Sequence, residues 1–168
     1  MKIPTGEFVF FVLVLAYGWH ILEEFNYNWK DWAGQTFGFD TNWAHFYVVN
    51  SFVIIFGFSA GIIGWKLPDV SLMFPAFALT NAIFFHILPL IMSRRFSPGL
   101  FTGVVLFIPV SLWIYWSAYI DGVLTIQGTV ISLIGGASIM ASLPLLIKTR
   151  NLKLLDPLKN QVFSRLSD

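Results

Sequence analysis

The chain has 168 residues, of which 57% are hydrophobic and only 11% charged, and its formal net charge is +1. Soluble domains carry about 25% charge, so this composition, with a mean hydropathy of +0.73, argues against a water-soluble fold. Cysteine is absent, which excludes disulfides, thiolate metal sites and cysteine nucleophiles. No basic stripe suits nucleic acid, and no Gly-rich phosphate loop occurs.

A helix needs about 20 apolar residues to cross the hydrocarbon core. Five stretches qualify: residues 8–24, 45–65, 70–93, 99–120 and 125–147. The first lacks a small-residue cleavage site and ends in polar residues, so it does not read as a cleaved signal peptide. Barrel strands would be shorter and would alternate. The expected fold is therefore all-α: one domain, a compact bundle of five transmembrane helices, with a short amphipathic cytoplasmic helix at the C-terminus.

In chain order, the first segment ends in His20, Glu23 and Glu24, with Tyr17 one turn earlier. These positions fall on one helix face. Residues 25–44 follow, dense in aromatics: Phe25, Tyr27, Trp29, Trp32, Phe37, Phe39 and Trp43. Such residues prefer the headgroup region, and the stretch reads either as an interfacial anchor or as a lid over the preceding polar cluster. The second segment opens on His45, which reads as an interfacial histidine, and carries Asn50 within its first two turns. Gly57 and Gly61, and Ala60 and Gly64, are four residues apart, as are Gly128, Ser132 and Gly136 in the fifth segment. That spacing lets backbones approach closely, here within the monomer rather than along a dimer seam, although a homo-oligomer stays open.

The third segment contains Asn81 and His86. Five residues separate them, about 140° on a regular helix at 3.6 residues per turn. They share a face only if the helix bulges or kinks, and Pro89 is a candidate cause. The tail 148–168 is basic, with Leu152, Leu155, Leu158, Val162 and Leu166 at intervals of three and four. It reads as a helix lying on the lipid surface or as a partner-binding helix.

Loop lysines and arginines set orientation. With the C-terminus cytoplasmic, Lys30, Arg94, Arg95, Lys148, Arg150, Lys153, Lys159 and Arg165 lie inside, and only Lys2 and Lys66 outside. The protein is then a multi-pass cell-membrane protein whose three histidines all fall in the cytoplasmic half of the bilayer. Trp65, Trp113, Tyr115, Trp116 and Tyr119 sit near the outer interface.

Ionisable groups inside a membrane are costly and are functional candidates by default. An imidazole and a carboxylate on one helix face can hold one divalent ion, and the related Glu-x-x-His spacing does so in four-helix bundles. His20, Glu24 and His86 are the expected ligands. Nitrogen and oxygen donors without sulfur suit zinc, iron or manganese. Glu23 is the candidate general base or a further ligand. Asn81 is the candidate to orient a ligand or hold an oxyanion, unless it is a plain interhelical hydrogen bonder.

The string His20-Ile21-Leu22-Glu23-Glu24 resembles the signature of the HXXEE-domain membrane proteins. Asn81-Ala82 followed by His86, and Arg95-Phe96-Ser97-Pro98-Gly99, extend the resemblance over roughly residues 10–120. The family implies no reaction, so the resemblance supports the choice of residues alone.

The leading expectation is an intramembrane metal-dependent enzyme acting on a lipid-like or otherwise apolar small molecule from the cytoplasmic side, a hydrolase if the metal activates water. The alternatives are a non-catalytic metal binder, a haem binder using His20 and His86, a proton-coupled small-solute carrier, and a structural membrane subunit with a buried hydrogen-bond network.

Overall fold

A computed structural model describes residues 5–39 and 41–149. All of its regular elements are helical: α1 (Thr5–Asn26), α2 (Trp29–Phe37), α3 (Trp43–Ile63), α4 (Pro68–Ser93), α5 (Leu100–Ile120) and α6 (Ile126–Thr149). Every one except α2 is long and apolar enough to cross a membrane. Their bounds differ from the sequence expectation by a few residues. The basic tail from residue 150 onward, with its leucine pattern, lies outside the described residues.

Helix α2 is an addition to the sequence reading, which left residues 25–44 without secondary structure. Asn28 starts it from a left-handed conformation (φ 54°), and Gly38 ends it the same way (φ 70°). Asn and Gly are the residues that tolerate that region. Hydrogen bonds from Lys30 and Asn28 hold the exposed Asp31 carboxyl below its ordinary range.

Helix α1 packs on α3 and α5, and α4 packs on α5 and α6. Small residues make the closest approaches, within the chain. A Cβ on Gly57 would stand 2.5 Å from the Phe74 ring, and one on Gly136 would stand 2.6 Å from the α4 backbone at Met73 and Phe77. Phe10, Leu13, Phe74, Phe77, Phe107 and Ile114 fill the interior. Large apolar side chains such as Leu15, Trp19, Ile55, Ile62, Ile91 and Ile134 cover the outside. Such a surface suits an apolar solvent, in which every backbone polar group must be satisfied within a helix.

Two helices depart from α geometry. Asn81–Ile87 of α4 and Gly103–Phe107 of α5 are π-helical, and they pack against one another. Each is followed by a proline, Pro89 and Pro109, whose missing N–H weakens the regular ladder. In a π turn, residues five apart nearly align. Asn81 and His86 therefore both point inward and are both buried, so the expected 140° separation does not hold.

A buried histidine–glutamate centre

Three elements meet at the end of the bundle where α1 and α4 finish and α5 begins. His20 and Glu24 come from the last turns of α1, and His86 from the π segment of α4. His20 and His86 have no exposed surface, and Glu24 has 6%. Glu24 Oε1 lies 3.5 Å from His20 Nε2 and 3.8 Å from His86 Nε2. The imidazoles meet edge to face with centroids 4.9 Å apart. The three residues expected to converge do so, and their candidate ligand atoms all lie within 4.8 Å of one another.

The far nitrogens of both rings are fixed by hydroxyls. His20 Nδ1 is 2.8 Å from Thr102 Oγ1. That hydroxyl has one proton, which it donates to Glu23 Oε2 at 2.6 Å. It can therefore only accept from His20, so Nδ1 carries the ring proton and Nε2 is a bare lone pair. His86 repeats the arrangement. Its Nδ1 is 3.0 Å from Ser97 Oγ, which donates to the Phe85 carbonyl at 3.3 Å. Pro89 has no N–H to offer that carbonyl in a regular turn, which leaves it for Ser97. Two lone pairs and one carboxylate thus face each other, and neither Nε2 has a hydrogen-bond partner among the described residues. A buried group of acceptors without a donor is unfavourable by several kcal/mol unless a cation or proton sits among them.

Glu23 does not join this cluster. Its oxygens accept from the backbone N–H groups of Phe101 (3.0 Å) and Thr102 (2.8 Å) at the start of α5. The N-cap of α5 is Gly99, which has no side chain with which to cap the helix, so α1 supplies the carboxylate in its place. With both oxygens so engaged, Glu23 is not placed as a general base. Its effect on the site runs through Thr102. Gly99 has to be glycine on two counts. Its φ is +94°, and a Cβ would stand 2.5 Å from His86 Cε1 and 2.6 Å from His20 Cε1.

Asn81 lies apart from the histidines. Its Nδ2 reaches Met140 Sδ at 3.8 Å, and its Oδ1 has no partner among the described residues. It borders a cleft that also touches Glu24, Asn50 and His45. His45, expected at the interface, lines this cleft. Tyr17 donates to Asn50 Oδ1 at 2.7 Å. Trp29, Phe39 and Thr41 of the aromatic stretch form part of the rim, and Phe37 packs on Phe85 with centroids 5.6 Å apart.

Sequence reasoning did not assign Ser97 or Thr102. The available signal was a hydroxyl on either side of the Pro98-Gly99 pair, next to a helix start.

These features define an all-helical chain, five of whose helices are apolar enough to cross a membrane, built around a buried His/Glu cluster. It matches, over residues 11–114, the family described as "Protein of unknown function with HXXEE motif" and belongs to that family. It is similar to "Uncharacterized protein YrkK" of Bacillus subtilis (strain 168), with 26% identity over 127 residues, covering 70% of this chain and 80% of that protein. No solved structure matches it. The family match spans His20, Glu23, Glu24, His86, Ser97, Gly99 and Thr102, whereas α6 lies beyond it.

Proposed function

We propose that the protein is a five-span membrane protein with its C-terminus on the cytoplasmic side, and that His20, Glu24 and His86 hold a divalent metal serving an enzymatic reaction on an apolar substrate. The observation that carries this reading is the donor-free meeting of two Nε2 lone pairs with the Glu24 carboxylate. Distance favours a metal over a shared proton. Charge-assisted hydrogen bonds are about 2.7–2.9 Å long. Ligand atoms about 2.0–2.2 Å from one tetrahedral ion stand about 3.3–3.6 Å apart, close to the 3.5 and 3.8 Å found here. Two histidines and one glutamate are also the donor set of catalytic zinc sites that keep one position open.

A haem does not fit. The imidazoles meet edge to face at 4.9 Å, and Gly99 lies against both Cε1 atoms, which leaves no room for a macrocycle. A bound ion would supply Lewis acidity. The chain's own part is to hold the two imidazoles in one tautomer through Thr102 and Ser97, with the Phe107 ring packed 4.4 Å from that of His20. Glu24 belongs to both the cluster and the cleft, so a substrate in the cleft would meet the site there. Hydrolysis is the reaction class this arrangement serves most simply.

The test is elemental analysis after mild purification without chelators. About one zinc, iron or manganese per chain is expected for a three-ligand site with one open position; metal-free protein would overturn the metal reading in favour of a proton-balanced network. Topology is tested separately. Lys30, Arg94 and Arg95 lie in the connections at the histidine end, and Lys66 at the opposite end, so a reporter fused after Asp168 should be active only in the cytoplasm.

A further inference from the structure

We propose that the cleft beside Glu24 is the route by which a divalent cation reaches the buried cluster, and that His45 is its first ligand on the way in. This rests on the metal-site reading and names how that site is filled. His20 and His86 have no exposed surface, whereas Glu24 keeps 6% and lines the cleft. Gly99 lies against the Cε1 atoms of both rings, and the Phe107 ring packs 4.4 Å from that of His20. Glu24 is therefore the ligand of the three that an arriving ion meets first. The enclosed space of the cleft is about 50 Å³. A single water needs about 10–15 Å³, so the space suits an ion that keeps part of its hydration shell.

A cation that crosses an apolar wall without ligands is strongly disfavoured, and oxygen or nitrogen atoms along the way lower that barrier. Val49, Phe85 and Leu143 make much of the wall apolar, but Thr41, His45 and Asn50 set a hydroxyl, an imidazole and an amide in the same lining. Among these His45 is the best ligand, since neutral imidazole is the commonest metal-binding side chain. The residue is partly exposed, whereas Glu24 is buried, so it stands nearer the outside. Its ring nitrogens are themselves covered, and a swing of the side chain has to present one of them to the ion. Asn42 fixes the backbone there by accepting from the His45 N–H at 2.9 Å. His45 thus lies in the first turn of α3, where the positive end of the helix dipole makes a poor resting place for a cation. Glu24 has a full negative charge and two imidazoles beside it. The ion therefore binds His45 in passing and comes to rest at Glu24.

The experiment uses full-length protein in phosphatidylcholine nanodiscs, stripped with a chelator and returned to zinc. Bound zinc is read over time by elemental analysis, and release is read with a chromogenic chelator. Wild type should take up about one zinc per chain. His45→Ala should slow uptake and release alike by about tenfold, the effect of one lost interaction on a barrier, and should leave the final zinc content unchanged. His45→Asp, which keeps a metal-binding group, should restore most of the speed. The chain has no cysteine, so the single thiol of a Val49→Cys variant can be capped with benzyl methanethiosulfonate. Capping should block uptake and reduction should restore it, a reversal that a misfolded variant would not show. Unchanged rates in His45→Ala, or in capped Val49→Cys, would overturn the proposal and leave the metal site standing. A lower final content in His45→Ala would make His45 a resident ligand and overturn its transit role. Wild type that takes up no zinc would overturn the metal reading, and this route with it.

Discussion

The two ends of the bundle treat their carboxylates in opposite ways. At the end where α3 turns into α4, Glu7 accepts from the Trp65 backbone N–H at 3.1 Å, and Asp121 accepts from the Trp65 indole at 2.9 Å. Ser71 donates to the Gly64 carbonyl at 2.8 Å. These three bonds tie turns together. At the other end Glu24 faces two imidazoles whose protons point away from it. The contrast recurs within one dipeptide, because Glu23 accepts from the start of α5 while its neighbour Glu24 has no hydrogen-bond donor among the described residues. A carboxylate whose oxygens already have donors holds structure, whereas a buried one with no donor among the described residues leaves a place for something that is not part of the chain.

That contrast can be broken by mutation, and the largest effect is expected in the cluster. His20→Ala and His86→Ala should each abolish copurifying metal, because two remaining ligands make a poor site; elemental analysis of the variants reads this directly, and full retention would show that the rings are not ligands. Thr102→Val and Ser97→Ala should lower metal affinity by about 10–100-fold, the usual effect of a group that orients a ligand. Chelator competition measures it, and a thermal melt confirms that the fold persists. Gly99→Ala places a methyl group in the left-handed region and against both rings. It should destabilise the protein by about 1–3 kcal/mol and reduce metal content with it, visible as a lower melting temperature in the same samples.

The smallest effects sharpen the comparison. Glu23→Gln should cost about 1 kcal/mol through a weakened helix start and should lower metal affinity less than Thr102→Val, since glutamine keeps one acceptor oxygen. An effect on metal as large as that of His20→Ala would place Glu23 among the ligands after all. Glu7→Gln at the far end should cost about 0.5–1.5 kcal/mol in thermal stability and leave metal content untouched. A metal loss there would mean that the two ends are coupled.

The sequence by itself determined the helical class and the five apolar helices, because length and hydropathy act residue by residue. It also determined that His20 and Glu24 share a face, since i and i+4 meet on any α-helix, and the short spacing of small residues indicated where helices touch. Only the tertiary structure decided the rest. The inward aim of His86 beside Asn81 depends on a π turn, which forms where Pro89 and packing against α5 override the regular ladder. The separation of Glu23 from Glu24 depends on where the start of α5 lands, some 78 residues further along the chain. The ring tautomers depend on Ser97 and Thr102, and a hydroxyl acquires a direction only when its single proton has somewhere to go. Spacing along one helix is local information. The choice between a satisfied and an unsatisfied carboxylate is made by a partner that the local sequence does not contain.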